Sequence, residues 1–188
     1  MRVVGVFGGS FSPVHTGHLE VVMGILDKGL TDEVWLLPCR LNPFKAGNKP
    51  IEDKERLRML NAAVDYICKL KESYRKKIKI SDIELKMPSP SYTFKTLNRL
   101  KEMYPDTVFR IVAGADSYLN FEKWREWEWI ENNFSPIVYP RPGFVLGDVR
   151  NKWTLLSDVK LTDISSTQLR TALACGRDVS RFMPWVKQ

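Results

Sequence analysis

Cysteine is scarce in this chain: Cys39, Cys68 and Cys175 are the only three. They are odd in number, far apart and without a Cys-x-x-Cys pair, which excludes a disulfide framework and a thiolate zinc site. Reduced thiols in a cytoplasmic protein are the expectation. Histidine is scarcer, with His15 and His18 alone. No apolar run approaches the roughly 20 residues of a membrane-spanning helix. The apolar opening is cut short by Gly8-Gly9, too early for a signal peptide. No internal repeat, low-complexity tract or linker composition is present. What remains is a chain of 188 residues, 44% hydrophobic and 27% charged, with a net charge of +7. That composition fits a globular domain with anionic partners. Charge alone leaves nucleic acid, membrane surface and phosphorylated metabolites open.

Periodicity organises the rest. Val3–Phe7 is a short, β-branched apolar run of the kind that forms a buried parallel strand. Leu19, Val22, Met23, Leu26 and Leu30 recur at helical spacing, and Val34–Leu37 reads as a second buried strand stopped by Pro38. A β-loop-α-β opening is a right-handed crossover in a parallel sheet. Leu57, Leu60, Val64 and Ile67 predict a second helix, and Ile78, Ile80 and Ile83 a strand with one exposed face. Tyr92–Met103 predicts a helix, Val108–Ala113 a strand, Trp124–Ile130 a short helix and Pro136–Tyr139 a fifth strand. Trp153–Leu156 is a sixth, and Ser166–Ala174 a final helix capped by Ser165 or Ser166. The alternation predicts a single α/β domain. In such sheets ligands gather outside the carboxyl ends of the strands. The loops after Phe7, Leu37, Ala113 and Tyr139 are therefore the places to search.

The first of these loops reads Gly8-Gly9-Ser10-Phe11-Ser12-Pro13-Val14-His15-Thr16-Gly17-His18. It joins a strand end to a helix start, where free N–H groups and the positive dipole end favour phosphate. Both histidines of the chain lie here, spaced to face one side of the helix. Their ring N–H groups are suited to donate to phosphate oxygens and to stabilise developing charge. A metal site would need more ligands, and no third His or Cys stands nearby. A second constellation, Ile164-Ser165-Ser166-Thr167-Gln168-Leu169-Arg170, opens the last helix with hydroxyls and sets Arg170 about one turn from Ser166. Alone it is an ordinary N-cap; paired with the histidine loop it becomes a second phosphate-binding element.

These two motifs resemble those of the nucleotidyltransferases. Class I aminoacyl-tRNA synthetases share the His-x-Gly-His part but are much larger and carry a different second motif. Further segments narrow the resemblance: Asn42-Pro43-Phe44-Lys45, Pro90-Ser91-Tyr92-Thr93, Gly114-Ala115-Asp116-Ser117 with Trp124 beyond, and Tyr139-Pro140-Arg141-Pro142-Gly143-Phe144. In this order, over nearly the whole chain, they resemble the bacterial nicotinate-nucleotide adenylyltransferases. Ser12 departs from that pattern, which commonly has Asp or Asn there. Arg125-Glu126 falls where the family varies and shapes its pyridine pocket.

The resemblance implies one nucleotidyltransferase domain over residues 1–188, with a Rossmann-like parallel sheet and helices on both faces. It implies ATP and nicotinate mononucleotide as partners, and deamido-NAD and pyrophosphate as products of direct in-line attack. His15, His18, Lys45 and Arg170 are then the catalytic candidates. Gly8, Gly9, Ser10, Phe11, Gly114, Asp116, Ile164, Ser165, Ser166 and Thr167 are assigned to ATP. Tyr92, Thr93, Trp124 and Arg141 are assigned to the nicotinate nucleotide. Mg2+ would ride on the ATP phosphates with no dedicated protein ligand. Nicotinamide mononucleotide, pantetheine phosphate and FMN stay open as other acceptors. The basic stretch Lys69–Lys77 is either a nucleic-acid patch or the solvated end of a helix; the helix end is preferred, so neither nucleic acid nor membrane is expected as a partner. A homo-oligomer stays open.

Overall fold

The computed structural model describes residues 1–40 and 50–186. Its sheet has six parallel strands: β1 (Arg2–Gly9), β2 (Glu33–Pro38), β3 (Ile78–Ile80), β4 (Thr107–Gly114), β5 (Ile137–Tyr139) and β6 (Thr154–Leu155). Their spatial order is β3-β2-β1-β4-β5-β6. This is the doubly wound, Rossmann-like order, and it reverses direction between β1 and β4. Phe7 of β1 lies in register with Leu36 of β2 on one side and Val112 of β4 on the other.

The apolar runs of the central strands reflect burial on both faces. Side chains alternate across a strand, so Phe7, Val34, Leu36 and Val112 enter one core layer. Val4, Val6, Trp35, Leu37, Phe109 and Ile111 enter the other. The first layer is covered by α1 (Thr16–Asp27) and α2 (Asp53–Leu70), through residues such as Ile25, Leu60 and Ile67. The second is covered by α3 (Thr93–Met103) and α5 (Trp127–Phe134), through Leu97, Leu100, Ile130 and Phe134. The short α4 (Ala115–Tyr118) follows β4 directly, and α6 (Ser166–Ala174) buries Leu169 against Val179 and Met183.

Two expectations need correction. Ile83 does not extend the third strand; it opens a 3-10 turn, Ile83–Lys86. Asp82 holds this turn, accepting from Leu85 N–H through its carbonyl and pairing with Lys86 through its carboxylate. Trp124 does not begin a helix. It follows a 3-10 turn, Phe121–Lys123, and α5 starts only after Glu126, whose backbone is left-handed at φ 59°. That conformation cannot continue a right-handed helix backwards.

Candidate active site

The carboxyl ends of β1 and β4 open into a cavity of about 600 Å³, within the usual range for a small-molecule site. The β1–α1 loop is tied down from several sides. Buried Arg56 of α2 donates to the carbonyls of Ser10 (2.9 Å) and Cys39 (2.6 Å) and pairs with Asp53 at 2.5 Å. One guanidinium therefore joins the chain beyond β1 to the chain beyond β2. Ser12 Oγ accepts from the Ile51 N–H at 2.9 Å.

His15 caps α1 with extended backbone, and its N–H donates to His18 Nδ1 at 3.2 Å. A ring nitrogen that accepts cannot carry the proton of a neutral imidazole, so Nε2 is the donor nitrogen of His18. The two rings lie 3.7 Å apart between centroids, and Phe11 packs on His18 at 5.0 Å. Burial, with help from the positive charge of Arg141, pushes the His15 pKa down to about 3. His15 is therefore neutral at physiological pH, and its Nδ1 is buried without a hydrogen-bond partner among the described residues. Gly17 allows this packing: a Cβ there would stand 3.1 Å from His15 Nδ1.

The last helix reaches the same loop. Ser165 is its N-cap, with a reciprocal capping box to Gln168: the Gln168 N–H donates to Ser165 Oγ at 3.2 Å, and the Ser165 N–H donates to Gln168 Oε1 at 2.7 Å. Ser166 Oγ donates to the Pro13 carbonyl at 2.9 Å, and Arg170 donates to the Ser12 carbonyl at 2.7 Å. Just upstream of α6, Thr162 donates through its N–H (2.5 Å) and hydroxyl (2.6 Å) to the Glu20 carboxylate of α1. The two motifs, far apart in sequence, thus form one wall of the cavity.

The β4 end contributes Gly114 and Asp116. Asp116 pairs with Arg141, after β5, at 3.0 Å. A Cβ at Gly114 would come within 2.7 Å of Asp116 Oδ1 and 2.8 Å of Arg141 Cδ, so no side chain fits beside this pair. Burial of its hydroxyl, with the Asp116 carboxylate nearby, pushes the pKa of half-buried Tyr139 up to about 12. At the other end stand Ser91, Tyr92, Thr93, Trp124 and Arg125. Glu84 also lines this region; burial raises its pKa, and it accepts from Thr96 Oγ1 at 2.8 Å.

Of the residues expected from sequence, Gly8, Gly9, Ser10, His15, His18, Tyr92, Thr93, Gly114, Asp116, Trp124, Arg141, Ser165, Ser166, Thr167 and Arg170 all line this cavity. Phe11 and Ile164 do not. The Phe11 ring is fully buried beneath the loop, packed on Phe7 and His18. Ile164 packs behind the wall against the Leu169 cluster. Lys45 lies outside the described residues. Arg56, Glu20 and Glu84 were not singled out from the sequence. A signal for Arg56 was present: it falls one turn before Met59 and Leu60, on the buried stripe of α2. Among the described residues no group of three or more His, Cys, Asp or Glu is arranged to hold a metal ion. No described helix is long and apolar enough to cross a membrane.

A glycine loop after β1, a hydroxyl-rich start to α6, and a cavity at the switch point of a doubly wound sheet are the arrangement expected of a nucleotidyl-transferring class. Residues 6–172 match the family model described as Cytidylyltransferase-like. A Bacteroides fragilis protein named Probable nicotinate-nucleotide adenylyltransferase is 37% identical over 180 residues, 95% of this chain and 86% of the relative. One of the same name from Bacteroides thetaiotaomicron is 36% identical, over 95% of this chain and 85% of the relative. The chain belongs to this nicotinate-nucleotide adenylyltransferase family. The solved Plasmodium falciparum nicotinic acid mononucleotide adenylyltransferase complexed with NaAD superposes with a TM-score of 0.79 at 24% identity, over 96% of this chain and 88% of that one. At that identity the likeness speaks to the fold.

Proposed function

We propose that the protein transfers the AMP part of ATP to the phosphate of nicotinate mononucleotide, releasing pyrophosphate and forming deamido-NAD. The observation that carries this reading is the meeting of the His15/His18 loop with Ser166 and Arg170 in one cavity. Aromatic residues and the start of α3 lie at its other end. The cavity thus offers a polyphosphate wall and a ring pocket in a chain of the adenylyltransferase family.

In the reaction an oxygen of the acceptor phosphate forms a bond to the α-phosphorus of ATP. The bond from that phosphorus to the bridging oxygen breaks, and pyrophosphate leaves. The acceptor phosphate is already ionised, so no general base is required. Neutral His15 fits this role, because it has no proton-transfer duty at neutral pH. His18, donating from Nε2, addresses the oxygens on which charge accumulates. Arg170 spends only part of its five donors on Ser12 and Thr167, so the remainder can hold the β- and γ-phosphates. The N–H groups of Ser166 and Thr167, at the first turn of α6, add donors to the same wall, which Ser165 and the Ser166 hydroxyl hold in shape through Gln168 and Pro13. Lys45, outside the described residues, is assigned to the phosphates by the family resemblance alone. Magnesium would enter with ATP and be held by phosphate oxygens and water; the phosphate wall offers N–H donors, and Asp116 is engaged with Arg141. Thr93, at the start of α3, receives the nicotinate carboxylate, and Trp124 stacks on the ring.

An acceptor panel tests the reading. Protein, ATP and magnesium are combined separately with nicotinate mononucleotide, nicotinamide mononucleotide, pantetheine phosphate and FMN. Pyrophosphate and product mass are then measured. Strong preference for nicotinate mononucleotide is expected. Equal or better turnover of another acceptor would overturn the assignment of the ring pocket, and silence throughout would overturn the activity.

A further inference from the structure

The ring pocket holds a cation to which the sequence motifs give no individual role. Arg125 follows Trp124 and lines the cavity rim beside Tyr92 and Thr93. Its guanidinium carbon lies 5.7 Å from the centroid of the Tyr92 ring and 5.5 Å from that of Phe94. These two rings flank Thr93 in sequence, so the cation is held over the opening turn of α3. A guanidinium above aromatic faces keeps its edge donors available. The chain turns away immediately afterwards through left-handed Glu126. Among the described residues, no carboxylate forms an ion pair with Arg125. The two other acids that line the cavity are engaged, Asp116 with Arg141 and Glu84 with Thr96.

Taking the adenylyl-transfer reading as its basis, we propose that Arg125 determines acceptor specificity, favouring a pyridine ring with a carboxylate over one with an amide. The opening turn of α3 contributes free N–H donors, which serve an amide oxygen as well as a carboxylate oxygen. A full positive charge does not treat the two alike. It rewards the anion, and it leaves a neutral amide with no equivalent gain. Arg125 thus adds the discrimination that backbone donors alone lack. It acts on binding of the acceptor, remote from the reacting phosphorus, so its effect belongs in the acceptor KM and not in kcat.

Arg125→Met keeps an apolar stem over Tyr92 and Phe94 and removes the charge; Arg125→Lys keeps a charge. Lys95→Met removes the exposed cation on the same Tyr92 ring, 5.6 Å from its centroid, that does not line the cavity. For each protein, kcat and KM are measured with nicotinate mononucleotide and with nicotinamide mononucleotide, and affinity for each acceptor is measured calorimetrically without turnover. Arg125→Met is expected to weaken nicotinate mononucleotide by about tenfold, the worth of one charge-assisted contact. Its affinity for nicotinamide mononucleotide, its KM for ATP and its kcat are expected to stay near wild type. Arg125→Lys is expected to retain most of the preference, and Lys95→Met all of it. A wild-type enzyme that prefers nicotinate mononucleotide and an Arg125→Met variant with the same preference would overturn the role of Arg125 and leave the activity standing. Equal weakening of both acceptors would also overturn it, because it would mark a packing role. A wild-type protein that adenylylates neither acceptor would instead overturn the activity itself.

Discussion

The two ends of the cavity are built on different principles. The phosphate end rests on element termini clamped by buried or part-buried bonds: Arg56 to Ser10 and Cys39, Arg170 to Ser12, Ser166 to Pro13 and Glu20 to Thr162. The ring end rests on aromatic faces and an exposed cation, joined by weak, adaptable contacts around Tyr92, Phe94, Trp124 and Arg125. Rigid donors suit a transition state whose charge must be met without reorganisation. Adaptable aromatic contacts suit selection among acceptors that differ by one substituent. On the proposed reading, chemistry and choice are separated along one cavity, and variants at the two ends are expected to fail in different ways.

The sharpest division is expected from Arg170→Ala. Its loss should lower kcat by about 10² to 10³, as for removal of one preorganised donor to developing charge, with acceptor preference unchanged. Steady-state kinetics on two acceptors check this. Arg56→Met comes next and acts on stability. It strips the Ser10 and Cys39 carbonyls of their shared donor and leaves Asp53 unpaired. A loss of about 2–3 kcal/mol is expected in denaturant unfolding, from two carbonyls left without their donor. Glu20→Gln keeps one acceptor for Thr162 and loses the charge, at a cost of about 1–2 kcal/mol; kcat should fall with it as α6 loosens from the loop. At the ring end, Trp124→Ala should raise the acceptor KM about fivefold, the worth of one ring-stacking contact, and leave kcat and the ATP KM intact. A fall in kcat there would erase the separation between the two ends.

The pH response of His15 acts on stability and is spread over several pH units. Its folded pKa is about 3 against an ordinary value of 6.5. Between these limits the unfolded chain binds the proton and the folded chain does not. The contribution of His15 therefore makes stability fall as pH falls across that window, by up to about 1.4 kcal/mol per pH unit. Above pH 6.5 the ring is neutral in both states and imposes no penalty. His15→Asn should flatten this acid limb, read as unfolding midpoints from pH 3 to 7. An unchanged limb would mean that the ring is charged in the folded protein.

Local pattern carried most of the fold. Strands buried on both faces announce themselves as apolar runs, so β1, β2 and β4 were legible within a residue or two. The 3-10 turn at Ile83 was not, because Ile78, Ile80 and Ile83 mimic a strand until the Asp82 contacts are known. Trp124 looked helical because the left-handed Glu126 that delays α5 leaves no mark in composition. The cavity lining was legible in the glycine loop and the hydroxyl cap, which sit at strand and helix ends that the sequence pattern marks. Phe11 and Ile164 fall outside the cavity lining because a motif records which residues recur together, not which side of a loop faces the cavity. Arg56 and Glu20 act through partners distant in sequence, and only the folded chain reveals them.

The most direct measurement pairs the wild-type protein with His18→Ala, both verified as folded, in magnesium, ATP and nicotinate mononucleotide, with deamido-NAD and pyrophosphate quantified together. The expected result is equimolar appearance of the two products from the wild type and a rate lower by about 10² or more from His18→Ala. Near-normal turnover by His18→Ala would contradict the phosphate end as the centre of the chemistry, and no dinucleotide from the wild type would contradict the activity.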